Sequence, residues 1–193
     1  MYWQVYLHKT AVACEKVLIN ALNRAKFLRM TGHDIFASPS LDYFLCNNID
    51  ASHFHTSPEA LEHYSLLDDN DIWCALKVWQ KSNDKILALL SSDVINRHIF
   101  KVEVSDSPFP SDYVCQIKEQ LASHFNISPD DTKHLYSIDT VQKDMYDIND
   151  DHISILYKDG TLRDIAEASD ILNISLLSRK VKKHYFCYQK IPD

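Results

Sequence analysis

Histidine and carboxylate are the residue types here that could hold a metal or move a proton. The chain has 10 histidines. His53 and His55 form the tightest pair, and His33-Asp34 is a literal His-Asp dipeptide. A metal centre would need each of these held by a rigid element and joined by further ligands. Both lie in polar connecting segments, where solvated loop residues are the simpler reading. Asp68, Asp69 and Asp71 could form a cation site, but capping of a following helix and a favourable helix dipole account for them with less. Asp147, Asp150 and Asp151 lack the glycine and terminal glutamate of an EF-hand loop. No HExxH, GxSxG or zinc-deaminase signature occurs.

Aromatic and basic residues concentrate in two places. One holds Tyr2, Trp3, Tyr6, His8 and Lys9, and the other Arg97, His98, Phe100 and Lys101. Aromatic rings stack on bases, and Lys or Arg pairs with phosphate oxygens, so each place could contact a nucleotide. Core aromatics flanked by surface cations would give the same composition.

Composition narrows the field. The 193 residues are 46% hydrophobic and 24% charged, as in a soluble globular chain of one large or two small domains. No apolar run approaches the ~20 residues of a membrane span, and Met1 to Thr10 carry no signal-peptide core, so a cytoplasmic protein is expected. The 2 glycines, Gly32 and Gly160, leave no room for a P-loop or a GxGxxG fingerprint. Net charge is −7, which disfavours a nucleic-acid partner but leaves room for a local basic pocket. The 5 cysteines are widely spaced, without a CxxC pair, and read as free thiols.

The elements that must position these residues change character near residue 100. Cys14, Val17, Leu18, Ala21, Leu22, Ala25 and Leu28 recur at helical spacing, predicting a first helix over 1–31 with Gly32 as its stop. Lys16, Asn20, Asn23 and Lys26 are expected on its polar face. Ser38-Pro39 and Ser57-Pro58 predict helices at 39–46 and 58–66. Asp68 or Asp69 opens another, with Ile72, Trp73, Leu76 and Trp79 as its apolar stripe, and Asn83 or Asp84 opens the next. Alternation from Ile99 to Val104 predicts a strand. A helix at 111–125, strands at 134–145 and 152–158, an Asp159-Gly160 hairpin turn, a helix near 164–177 and a strand at 180–190 follow. The expectation is an α+β chain: an N-terminal helical array, 1–97, then a small mixed α/β lobe, 98–193.

The order of these segments resembles a family. Tyr6-Leu7-His8-Lys9 is similar to the Tyr-x-His-Lys stretch opening a long helix in HD-domain phosphohydrolases, nearest the SAM-and-HD-domain deoxynucleoside triphosphate triphosphohydrolases and their bacterial relatives. Leu67 to Ile72 resembles that family's acidic helix start. Asn96 to Val102 resembles its Arg-Asn-Leu-Phe-Lys segment, and Asp151 to Tyr157 its late strand. The family's His, His-Asp and Asp metal ligands all precede the Tyr-x-His-Lys helix. His33-Asp34 follows it and does not match the family pair.

The resemblance therefore implies the C-terminal part of such an enzyme, with no catalytic residue and no metal ligand of its own. A divalent metal ion is expected in the intact enzyme only. Tyr6 and Leu7 would line the substrate, Leu7 standing where the best-known members have glutamine. His8, Lys9, Arg97 and Lys101 would line a regulatory nucleotide site between subunits. Nucleotide and a second copy of the chain are the implied partners. The alternative is a non-enzymatic interaction module, helical with an α+β cap.

Overall fold

A computed structural model describes residues 8–143, 154–164 and 181–191. Six α-helices come first: α1 (Lys9–Met30), α2 (Pro39–Cys46), α3 (His53–Thr56), α4 (Pro58–Leu66), α5 (Asp69–Trp79) and α6 (Lys85–Asn96). Then follow β1 (Lys101–Ser105), α7 (Ser111–Phe125), a 3-10 helix (Pro129–His134), β2 (Tyr136–Lys143), β3 (Ser154–Leu156), β4 (Leu162–Asp164) and β5 (Val181–Tyr188). The fold is α+β, a helical array followed by strands.

Local chemistry sets the helix ends. Ser38, Ser57, Asp68 and Asp84 each accept a backbone N–H at the start of α2, α4, α5 and α6. Asp68 and Asp71 form a reciprocal capping box, so these carboxylates are spent on the helix. At the end of α1, Gly32 at φ 85° lets His33 N–H reach Leu28 C=O at 3.0 Å and its own N–H reach Arg29 C=O at 3.1 Å, a Schellman ending.

Two compact units divide the chain. The first takes the described residues up to Glu103, Phe109–Ile138 and those from Phe186 on. In it α1 packs along α6 and α2, and α5 along α6. Ala13, Ala21 and Ala25, fully buried, bring backbones close, while Leu87, Leu90, Leu76 and Trp79 fill the core. Trp79 Nε1 donates to Phe36 C=O at 2.8 Å, fixing the loop after α1. The second unit takes Val104–Pro108 and the described residues between Asp139 and Tyr185. It contains the antiparallel β3–β4 hairpin, closed by the Asp159-Gly160 turn with Ile155 opposite Arg163. β5 lies between β1 and β2 in a three-stranded sheet.

Several expectations are corrected. His8 is an extended N-cap, so α1 starts at Lys9 and is not continuous from residue 1. Asn20 is buried rather than on a polar face, and Cys14 and Trp73 are exposed rather than in apolar stripes. His53 and His55 lie on the short helix α3, not in a loop. β1 starts at Lys101, because Phe100 is spent as a core anchor at 1% exposure. His134 ends a 3-10 helix, and β2 starts at Tyr136. Asp164 ends β4; the rest of the helix expected near 164–177, like Tyr6 and Leu7, lies outside the described residues.

Candidate functional site

Lys9 stands at the first position of α1, and Lys101 opens β1. The fold brings them together: with Thr10, Phe100 and Lys190 they line one depression of about 240 Å³. All three lysines are exposed. The first turn of α1 carries no acidic residue, so the positive end of a 22-residue helix adds to the lysine charges. Like charges this close repel unless an anion or carboxylate lies among them.

One carboxylate does. Lys101 Nζ is 3.2 Å from Glu103 and 5.3 Å from the centre of the Tyr188 ring. Glu103 also accepts Tyr188 Oη at 2.7 Å and Tyr113 Oη at 2.9 Å. Burial would raise its carboxyl, but these hydroxyls and Lys101 outweigh burial and hold it below the usual range. Burial and the Glu103 charge push the Tyr188 phenol up to about 12. Lys101 is thus fixed in direction while its ammonium stays open to solvent.

The backbone just before Lys190 is anchored through its neighbour. The neighbouring Gln189 donates its backbone N–H to Leu135 C=O at 2.8 Å and its Nε2 to Asp93 at 2.9 Å. Asp93 is buried, and burial raises its carboxyl despite Gln189, His98 and Lys190.

The other expected residues separate. His8 Nδ1 accepts Thr10 N–H at 3.3 Å and so serves as the helix cap. Arg97 is exposed at the end of α6 and does not line the depression. It adopts a left-handed conformation, φ 60° and ψ 34°, with His98 N–H bonded to Asp93 C=O at 2.8 Å. Glycine usually takes that position. Sequence reasoning missed Lys190 and the Glu103 cluster. A lysine two places after Tyr188, at the end of the last expected strand, was the one local hint of Lys190. Glu103 read only as a polar position in an alternating strand.

Among the described residues no group of three or more His, Cys, Asp or Glu side chains could hold a metal ion. His53 Nδ1 lies 2.9 Å from Asp50, and His33 Nδ1 lies 3.0 Å from Thr31 Oγ1. The described residues do not fit the divalent metal that the resemblance implies. Among them, also, no helix is long and apolar enough to cross a membrane.

Comparison with known proteins gives the class. No family model matches the chain. On a fold and surface of this kind, the chain matches part of a larger phosphohydrolase. A crystal structure of a phosphohydrolase from Bacteroides thetaiotaomicron VPI-5482 superimposes with a TM-score of 0.90 and 53% identity, over 98% of this chain and 47% of that one. The uncharacterized protein YwfO of Bacillus subtilis (strain 168) is 27% identical over 201 residues, 98% of this chain and 42% of YwfO. The chain spans less than half the length of either.

Proposed function

We propose that this chain is a region of a metal-dependent HD-type phosphohydrolase acting on (deoxy)nucleoside triphosphates. In this reading it supplies nucleotide-binding and subunit-contact surfaces, and the metal centre lies in the remainder of the enzyme. The observation that carries the reading is the shared depression of Lys9, Lys101 and Lys190 at the N-terminus of α1, in a chain similar to part of a phosphohydrolase. Three lysines and a helix N-terminus suit a polyphosphate. Lys9 and Lys101 are the positions the resemblance assigns to a regulatory nucleotide. His8 and Arg97 would contribute from the rim or from a second copy of the chain.

Calorimetry of the chain with dATP tests it, alongside light scattering to read assembly. Binding that Lys9→Ala weakens is the expected result. Failure of dATP to bind, or binding by both Lys9→Ala and Lys101→Ala as tight as by the unaltered chain, overturns it.

A further inference from the structure

A second, larger depression of about 810 Å³ also includes Lys101 and Lys190. Its long wall is α7. That helix is amphipathic: Val114, Ile117 and Leu121 are its buried positions. Tyr113, Gln116, Gln120 and Ser123 recur at three- and four-residue steps and line the depression. Its other walls are Tyr188 and Ile191. Every one of these residues belongs to the first compact unit.

The lining is graded in charge. Tyr113 marks the basic end, because its hydroxyl and Lys101 Nζ share the Glu103 carboxylate. Glu119 also lines the depression. It lies about 9 Å further along α7, at about 1.5 Å of rise per residue. An anion is therefore drawn to the Lys101 end and repelled from the Glu119 end. Lys101 has three N–H donors, and the Glu103 contact uses one, leaving others for an oxyanion. Gln116 stands between the two ends, and Gln120, one turn on, stands just past Glu119. Each offers a carbonyl and an NH2 group, the complement of a heterocycle edge that both donates and accepts. Ile117 and Ile191 add apolar walls. The volume falls in the range of small-molecule pockets, ~300–1,000 Å³.

We propose that this depression is a second binding site, for a nucleoside phosphate whose phosphates meet Lys101 and Lys190 and whose base lies between Gln116 and Gln120. It goes beyond the surface described above, which includes Lys9 and no residue of α7. Because Lys101 and Lys190 line both depressions, two ligands compete for the same cations. Occupancy of one site weakens the other.

Titration of the Lys9→Ala chain isolates this site, with dATP and inorganic triphosphate as probes. The expected result is that dATP binds the Lys9→Ala chain, and that adding Gln116→Leu and Gln120→Leu weakens it by about tenfold or more. Both glutamines are exposed, so the helix should fold unchanged; circular dichroism checks this. Inorganic triphosphate should bind the two chains alike. Three outcomes overturn the proposal. If Lys9→Ala alone abolishes dATP binding, the smaller depression is the nucleotide site and the proposed function stands without a second one. If the glutamine changes leave dATP binding unaltered, or if triphosphate binds as tightly as dATP, no base is read here. If neither probe binds even the unaltered chain, both readings fall.

Discussion

Arg24 of α1 grips Asp84, the N-cap of α6, at two points: Nε to Oδ1 at 3.1 Å and Nη2 to Oδ2 at 2.6 Å. The same carboxylate accepts Leu87 N–H at 2.8 Å. One aspartate thus caps one helix and anchors another. Arg24 Nη1 also bonds Asp131 of the 3-10 helix at 2.5 Å. The Arg24 side chain is only 8% exposed, and removing it leaves two partly buried carboxylates, 19% and 30% exposed, without the cation they share. Arg24→Ala should cost about 3 kcal/mol of unfolding free energy in urea denaturation. A loss below about 1 kcal/mol would show that solvent screens this network as it does surface pairs.

The same network sets an acid limit. Burial would raise the Asp84 carboxyl, but hydrogen bonds from Arg24 and Leu87 outweigh it and hold it below the ordinary range. Burial would raise Asp131 too, and there Ser128 and Arg24 outweigh it and lower the carboxyl. Groups depressed in the folded state stabilise it fully above the unfolded carboxylate value, about 3.9, and lose that contribution as pH falls through the folded value. Stability should therefore drop steeply below about pH 4, and the drop should be shallower in Arg24→Ala. Identical acid-unfolding slopes in the two chains would contradict this.

His134 acts in a higher window. Burial, then the charges of Arg24 and Lys133, push its imidazole down to about 4. Its Nε2 is buried without a hydrogen-bond partner, and its ring sits 6.0 Å from that of Phe27. The unfolded chain takes up this proton near pH 6.5 and the folded chain does not, so stability falls as pH drops from about 6.5 toward about 4. In His134→Phe that slope should vanish. Denaturation at pH near 7 and near 5 measures it, and an unchanged slope would mean the imidazole is protonated in the fold.

Helix starts were legible in the sequence because they come from local chemistry: Ser38, Ser57, Asp68 and Asp84 each act on a backbone N–H within three residues. Asn20 and Arg24 escaped because polarity was allowed to outweigh spacing. They share the buried face with Val17, Ala21, Ala25 and Leu28. Asn20 Nδ2 donates to His134 C=O at 3.0 Å and Tyr136 C=O at 3.2 Å, partners more than a hundred residues away that no local pattern announces. The nearness of Lys9 to Lys101 was expected from resemblance alone. Lys190 was missed because only the fold brings the end of the chain back beside β1.

Arg97 separates stability from charge. A non-glycine residue in the left-handed region costs roughly 1 kcal/mol, and here the backbone bonds of a Schellman ending hold it there. Arg97→Gly should therefore keep or raise the melting temperature, while Arg97→Val should lower it. If the resemblance assigns Arg97 correctly, both variants lose the same increment of nucleotide-dependent assembly. Assembly that follows stability, intact in the glycine variant and weak in the valine variant, would show that Arg97 serves only the helix end.

Lys9 provides the sharpest measurement on the smaller depression. It stands at the N-terminus of α1 with no acidic residue in the first turn to offset it, so an anion there meets its ammonium and the helix dipole together. Lys101 differs, because Glu103 at 3.2 Å already neutralises part of its charge. Lys9→Ala should weaken dATP binding by about tenfold to a hundredfold, the range of a lost charged hydrogen bond. Lys9→Gln should be nearly as damaging, since the amide keeps a donor and loses the charge. Glu103→Gln should act in the opposite direction, tightening dATP by freeing Lys101, and should also lower the Tyr188 phenol from about 12 by removing the charge that opposes its ionisation. Ultraviolet titration reads the phenol and calorimetry the nucleotide, so one variant is checked by two independent signals. A shifted phenol with unchanged dATP affinity would place the bound phosphate away from Lys101, and with it would fall the reading of this depression as a nucleotide site.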